Sequence, residues 1–196
     1  MIIVAELVQA EDDLVSGRLT CPDCGSRLRG WGHARARPIR QRAGAAVWVR
    51  PRRAHCPTCT RTRVLLPGTC LPRRADATEV IGAALVAKAS GHGHRRIAAD
   101  LDRPVSTVRR WLRAARDGAH LEWLRVRGTQ TAVQLDIDGA VVARIAPARG
   151  RLSDALTALA AAVAAVRRRF PAHAATDWAL IAVTARGRLL ARAPSG

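Results

Sequence analysis

The sequence predicts an α+β fold in three parts, and three observations predict it. Its cysteines include two C-x-x-C pairs, Cys21-Pro22-Asp23-Cys24 and Cys56-Pro57-Thr58-Cys59. Between the pairs, small residues alternate with large or basic ones, the period of a strand. From Asp76 onward, apolar residues recur every three or four positions, the period of a helix. Residues 1–72 therefore read as a small β zinc ribbon with a short N-terminal strand and helix. Residues 73–128 read as a three-helix helix-turn-helix, and 129–196 as a small α/β segment of a hairpin plus helices.

The chain of 196 residues has room for one modest domain or for two or three small units. Its 33 Lys and Arg outweigh 15 Asp and Glu, for a net charge of +18, which favours a polyanionic partner, nucleic acid by default. The charge is unevenly placed. Glu6, Glu11, Asp12 and Asp13 precede residue 16, whereas residues 16–75 carry fourteen Arg against Asp23 alone. No signal peptide or membrane span is read, so the chain is expected in the cytoplasm, on the nucleoid. There thiols stay reduced, and paired cysteines are put to use on metal.

Taken in order, Ile2–Leu7 reads as a strand and Glu11–Val15 as a short helix or turn covering one side of the ribbon. Each cysteine pair forms a turn that aims two thiolates at one point, half of a tetrahedral zinc site. Gly25 follows the first pair, where such a turn needs positive φ. The 31 residues between Cys24 and Cys56 leave room for strands between the knuckles. Cys21, Cys24, Cys56 and Cys59 are thus the candidate ligands of one structural zinc, with a redox dithiol as the competing use of C-x-x-C. Cys70 reads as a buried or free thiol.

Gly30 to Arg37 reads as one strand with Trp31, His33, Arg35 and Arg37 on one face. Gln41–Gly44 makes a turn, Ala46–Arg50 a second strand and Arg61–Leu66 a last one. Arg35, Arg37, Arg50, Arg52 and Arg53 are the candidate phosphate contacts of a basic sheet face. The competing reading is a solvated Arg face with Trp31 and Trp48 packed over a small core.

Pro72–Asp76 reads as a linker, with Asp76 and Glu79 forming a capping box for a helix over Ala77–Ser90. A second helix spans His94–Leu101. A third starts at Pro104 and runs to about Asp117, with Gly118 as its stop. The pattern Ile97-Ala98-x-x-Leu101, turn, Thr107-Val108-x-x-Trp111-Leu112 is that of a helix-turn-helix, with Asp102 where such turns usually have Gly. The third helix would present Ser106, Arg109, Arg110 and Arg113 to double-stranded DNA.

Residues 1 to about 125 resemble a family of small zinc-ribbon plus helix-turn-helix proteins from high-GC bacteria. They are also similar to the N-terminal DNA-binding part of insertion-sequence transposases. The resemblance rests on Cys21-Pro22-x-Cys24-Gly25, Leu28 to Arg35, Arg53-x-x-Cys56-x-x-Cys59 and the turn Ile97–Leu112. It implies zinc-dependent folding and binding to DNA, at terminal repeats or an operator.

Such transposases continue into a metal-dependent catalytic domain, and Asp136 or Asp138 could pass for its first carboxylate. Too few residues come after them to build that fold, so Asp138-Gly139 reads instead as the turn of a hairpin between Thr131–Ile137 and Ala140–Ile145. Beyond it, Leu152, Leu156, Leu159, Val163, Val166 and Phe170 form a helical seam, either internal packing or a homodimer contact. Asp177–Ala185 is helical or strand-like, and Arg186–Gly196 is expected to fray.

The functional expectation is a zinc-stabilised, non-enzymatic DNA-binding protein, a transcriptional regulator or a transposition-associated factor. The alternatives are a compact recombinase using Asp136 or Asp138, and an RNA-binding or protein-binding ribbon. No Ser/His/Asp constellation or phosphate-binding Gly loop supports another enzyme class.

Overall fold

The computed structural model describes residues 1–42, 44–136, 139–141 and 150–190. Strand β1 (Ile2–Val4) leads into helix α1 (Leu7–Val15). Five strands come next: β2 (Arg29–His33), β3 (Arg37–Arg40), β4 (Ala46–Val49), β5 (Arg52–His55) and β6 (Thr62–Pro67). The remainder is helical: α2 (Thr78–Ala89), α3 (His94–Asp100), α4 (Val105–Ala114), α5 (Gly118–Leu135), α6 (Arg151–Arg169) and α7 (Asp177–Thr184). The α+β class stands.

The sheet order is β1-β6-β5-β2, with β1 parallel to β6 and the other pairs antiparallel. β3 and β4 form a separate two-stranded sheet. The single strand expected over residues 30–37 is thus divided between two sheets. The pairing slips between Gly30 and His33, and Ala34 leaves the ladder to donate to the Pro51 carbonyl. Such an irregularity bends a strand and redirects the next segment. β3 turns onto the helices: Arg40 donates to the Ala75 carbonyl, Ala77 donates back to Arg40, and Ile39 enters the helical core.

Two main cores result. The smaller lies under α1, which covers one face of the sheet as expected; Ala10, Leu14, Leu28, Ala54 and Leu65 pack there with Cys21 and Cys56. The larger joins Ile39, Leu66 and Leu71 to α2 through α7, centred on Val80, Ile81, Ile97, Val108, Trp111 and Leu159. α2, α3 and α4 pack on one another as the period-3.6 pattern predicted, and Val108, Trp111 and Leu112 are the buried residues of α4.

Several boundaries differ from expectation. α5 runs through Leu135, so Thr131–Leu135 is helical and residue 128 falls inside an element. The strand-like run Thr131-Ala132-Val133 is overridden by packing, because α5 lies very close to α6. A Cβ at Gly128 would sit 2.5 Å from the Ala158 carbonyl carbon. Ala132 is buried with Ala161 and Ala165 in a small cluster. Backbones approach this closely only over small side chains, and that burial outweighs local β propensity. The second expected strand of that hairpin falls largely on residues 142–145, and Asp138 also lies outside the described residues. Gly118 opens α5 rather than ending α4, because Asp117 caps α5 through the amides of Ala119 and His120.

The seam on α6 turns inward: Leu159 and Val163 are buried in the larger core, and Leu152, Leu156 and Val166 pack against it. Residues 186–190 do not fray. Leu189 and Leu190 are buried, and the Leu189 carbonyl lies 3.3 Å from His120 Nε2.

Candidate functional site

The two knuckles are built alike. Cys21 N–H donates to the Ser26 carbonyl at 2.8 Å and Cys56 N–H to the Arg61 carbonyl at 3.0 Å, the same five-residue span. In each, the residue after the second cysteine is left-handed: Gly25 at φ 73° and Thr60 at φ 57°. Glycine adopts that conformation freely, whereas a β-branched Thr is strained there. The first knuckle lies between α1 and β2, the second between β5 and β6, and strand pairing brings them together.

The sulfurs of Cys21 and Cys59 lie 3.6 Å apart, those of Cys24 and Cys56 3.4 Å apart, and all four lie within 4.8 Å of one another. A tetrahedral zinc with Zn–S bonds of about 2.3 Å spaces its sulfurs about 3.8 Å apart. Four thiols at that spacing and no disulfide fit a single structural zinc in a zinc ribbon. Hydrogen bonds from the backbone and side chain of Ser26 hold the Cys24 thiol down to about 6. At Cys59 the Arg61 backbone amide also lowers it, but burial and the three neighbouring thiols push it up to about 11. The cluster thus favours at least one thiolate at neutral pH, as a metal ligand requires. Asp23, inside the first knuckle, pairs with Arg63 and with Arg61 across the second. Cys70 stands apart, buried in the larger core, where burial raises its thiol.

The basic residues separate into two groups. Ser106, Arg109, Arg110 and Arg113 are exposed along α4, and none of the three arginines forms an ion pair among the described residues. Arg35 and Arg50 are exposed beside the break between the sheets, and Arg53 is half-buried on β5. By contrast, Arg37 and Arg52 are committed internally. Arg37 donates to the Leu71 and Arg74 carbonyls, and Arg52 pairs with Glu11 at 2.6 Å and donates to the Gly32 carbonyl. Trp31 and Trp48 are exposed at 56% and 70% rather than packed over a core.

One centre escaped the sequence reading. Asp76 is not a helix cap: Ala77 holds that place, with no side-chain bond. Asp76 is instead buried and accepts from Arg40 at 2.8 and 3.0 Å and from Arg103 at 2.7 Å. The Arg103 side chain is only 4% exposed and also donates to the carbonyls of Leu101, Asp102 and Gln41. Three segments are thereby joined: the turn between α3 and α4, where Asp102 is left-handed at φ 48°, the start of α2, and the β3–β4 hairpin. The residues sit 36 and 27 positions apart, beyond the reach of periodicity.

Asp136 ends α5 and accepts from the Val141 amide at 2.8 Å. Among the described residues, the four cysteines are the cluster able to hold a metal. No described helix is long and apolar enough to cross a membrane.

Geometry and composition thus define an α+β chain with a four-thiol cluster able to hold one metal ion and a separate helical core. Residues 21–111 match a domain family described as "Domain of unknown function (DUF6431)". That stretch begins at Cys21 and ends at Trp111, so it takes in both knuckles, the Asp76 centre and most of the α2–α4 unit. The chain matches no curated protein and no solved structure.

Proposed function

We propose that the protein is a zinc-stabilised, non-enzymatic binder of double-stranded DNA, acting as a transcriptional regulator or a transposition-associated factor. In this reading α3 and α4 are a helix-turn-helix and α4 is its recognition helix. The observation that carries it is the row Ser106, Arg109, Arg110 and Arg113. These residues are exposed on a helix whose opposite face is anchored by Val108, Trp111 and Leu112. Guanidinium groups with no carboxylate partner among the described residues suit guanine O6/N7 and phosphate alike. Arg103 and Asp76 hold the turn from behind, so α4 is presented by a rigid support. Zinc would fold the knuckles and thereby set the β3–β4 hairpin against that turn. Arg35, Arg50 and Arg53 would add phosphate contacts that fix register and carry salt dependence.

Selection of bound duplexes from a random DNA pool, with the zinc-loaded chain at moderate salt, tests this. A sequence motif should emerge. Replacing Arg109 and Arg110 by Ala should relax it and cost about 1–3 kcal/mol for each base no longer read. An unchanged footprint in those variants would remove α4 from the interface.

A further inference from the structure

The four-stranded sheet has two faces: one lies beneath α1, and the other, covered by the helical core at Ile3 and Leu66, is basic and aromatic toward its β2 edge. Strand pairing sets Arg29 opposite His55, Arg53 opposite Val64 and His55 opposite Thr62. Alternation therefore places Arg29, Arg53, His55, Thr62 and Val64 on one face, and Ala54 and Leu65 on the other, beneath α1. Trp31 joins the outer set, its ring centroid 5.0 Å from that of His55. At 56% exposure, Trp31 is uncovered on its solvent side. The expected grouping of Trp31 with Arg35 and Arg37 is replaced by this one, because the strand breaks after His33.

The outer face also lacks counter-charge. Arg29 and Arg53 form no ion pair among the described residues. Glu11 is engaged by Arg52, Asp23 by Arg61 and Arg63, and Asp76 by Arg40 and Arg103. An indole tilted against an imidazole and bordered by two guanidiniums matches a ligand with flat π faces and a negative backbone. A base inside a duplex is already stacked on both sides and offers neither face. An unpaired base offers both, and its stacking on an aromatic side chain contributes about 1–3 kcal/mol.

We infer that the outer sheet face, centred on Trp31 and His55 with Arg29 and Arg53 beside them, binds single-stranded DNA adjoining the duplex held by α4. The inference rests on the reading of α4 as a duplex binder and extends it. The preferred substrate is then a junction between paired and unpaired strands rather than an uninterrupted double helix.

Fluorescence anisotropy with the zinc-loaded full chain, at one fixed salt concentration, tests this on three labelled probes. They are the selected duplex, the same duplex with an overhang of about 12 nucleotides, and that overhang alone. The overhang should tighten binding about fivefold or more. Trp31→Ala should erase that gain and leave affinity for the plain duplex unchanged, while Trp31→Phe should retain part of it. Zinc content and circular dichroism of the variants establish that the fold is kept.

Tight duplex binding with no gain from the overhang, or a gain that survives Trp31→Ala, overturns the inference and leaves the α4 reading intact. Overhang binding that depends on Trp31 but ignores Arg109 and Arg110 supports the sheet platform and removes α4. An RNA overhang bound more tightly than the DNA one, or neither nucleic acid bound while an acidic protein is, overturns it as well.

Discussion

The sheet and the helices are held together by different means. Under α1, the described core is seven buried residues, two of them the cysteines Cys21 and Cys56. The helical core extends from Ile39 to Leu190 and draws on every helix from α2 to α7. A unit the size of the ribbon buries too little apolar surface to offset its chain entropy, and metal ligation is the usual remedy. The helical part has no such need. A metal held by the four thiols would therefore be a folding element of one part only. That part meets the helices through Leu66 and Ile3 and the bonds from Thr78 to Gly68 and Thr69, while the Asp76 centre ties in the β3–β4 hairpin.

Removing the metal should have the largest effect. Structural zinc contributes about 10–16 kcal/mol of apparent binding free energy in small domains. Chelation, or Cys56→Ser, should therefore make the amides of β2, β5 and β6 exchange rapidly while α5 and α6 stay protected. Equal loss of protection in both parts, measured by hydrogen exchange, would show that sheet and helices depend on the metal alike.

Next in size is Asp76→Ala. Arg103 is buried, so removing its partner leaves an uncompensated charge in the interior at a cost of about 3–5 kcal/mol. Urea unfolding should show that loss, with the hairpin β3–β4 and the α3–α4 turn loosening together. A variant that loosens only one of them would show that the centre does not couple the two regions.

His120 probes the helical side. It is buried between α5 and the 186–190 segment, beside Trp123, and burial lowers its pKa, with Leu189 and Asp117 opposing. Unfolded, the imidazole titrates near pH 6.5. A group whose folded value is depressed takes up its proton more readily when unfolded. Stability is therefore fully present above about pH 6.5 and is lost as pH falls toward the folded value. His120→Gln should flatten that slope for α5 and α6 in pH-dependent thermal unfolding. The acid sensitivity of the ribbon, which arises from thiolate protonation, should be unaltered.

The smallest effect belongs to Thr60. A β-branched residue at positive φ carries strain of about 1–2 kcal/mol, and glycine relieves it while adding unfolded-state entropy. Thr60→Gly should stabilise the second knuckle by about 1 kcal/mol or less, measured by competition for zinc against a chelator. Gly25→Thr should do the opposite at the first knuckle.

Much of this molecule was legible because its signals are local. The spacing within Cys21–Cys24 and Cys56–Cys59 identifies the thiols, and the helical period from Val80 to Leu112 places α2, α3 and α4 within a few residues. The period also assigns Val108, Trp111 and Leu112 to the inside, and hence Ser106, Arg109, Arg110 and Arg113 to the outside. The expected strand over residues 30–37 failed because alternation continues across a ladder break, which depends on what Pro51 and the helices offer Ala34 and Arg40. Thr131–Leu135 failed because β propensity is weaker than close packing of Gly128 and Ala132 against α6.

By itself, then, the sequence determined the four thiols, the three central helices and the sign of the charge, all properties of spacing or composition within one turn or one strand. Only the tertiary structure decided which charges are free. Arg37 and Arg52 are as basic in sequence as Arg53 or Arg109, yet their guanidiniums are committed to the fold. Asp76 carries the mark of a helix cap and is a buried hub. Trp31 belongs with His55 rather than with Arg35. The physical reason is common to all of these: a charged or aromatic side chain takes its role from partners tens of residues away, and no local periodicity records that pairing.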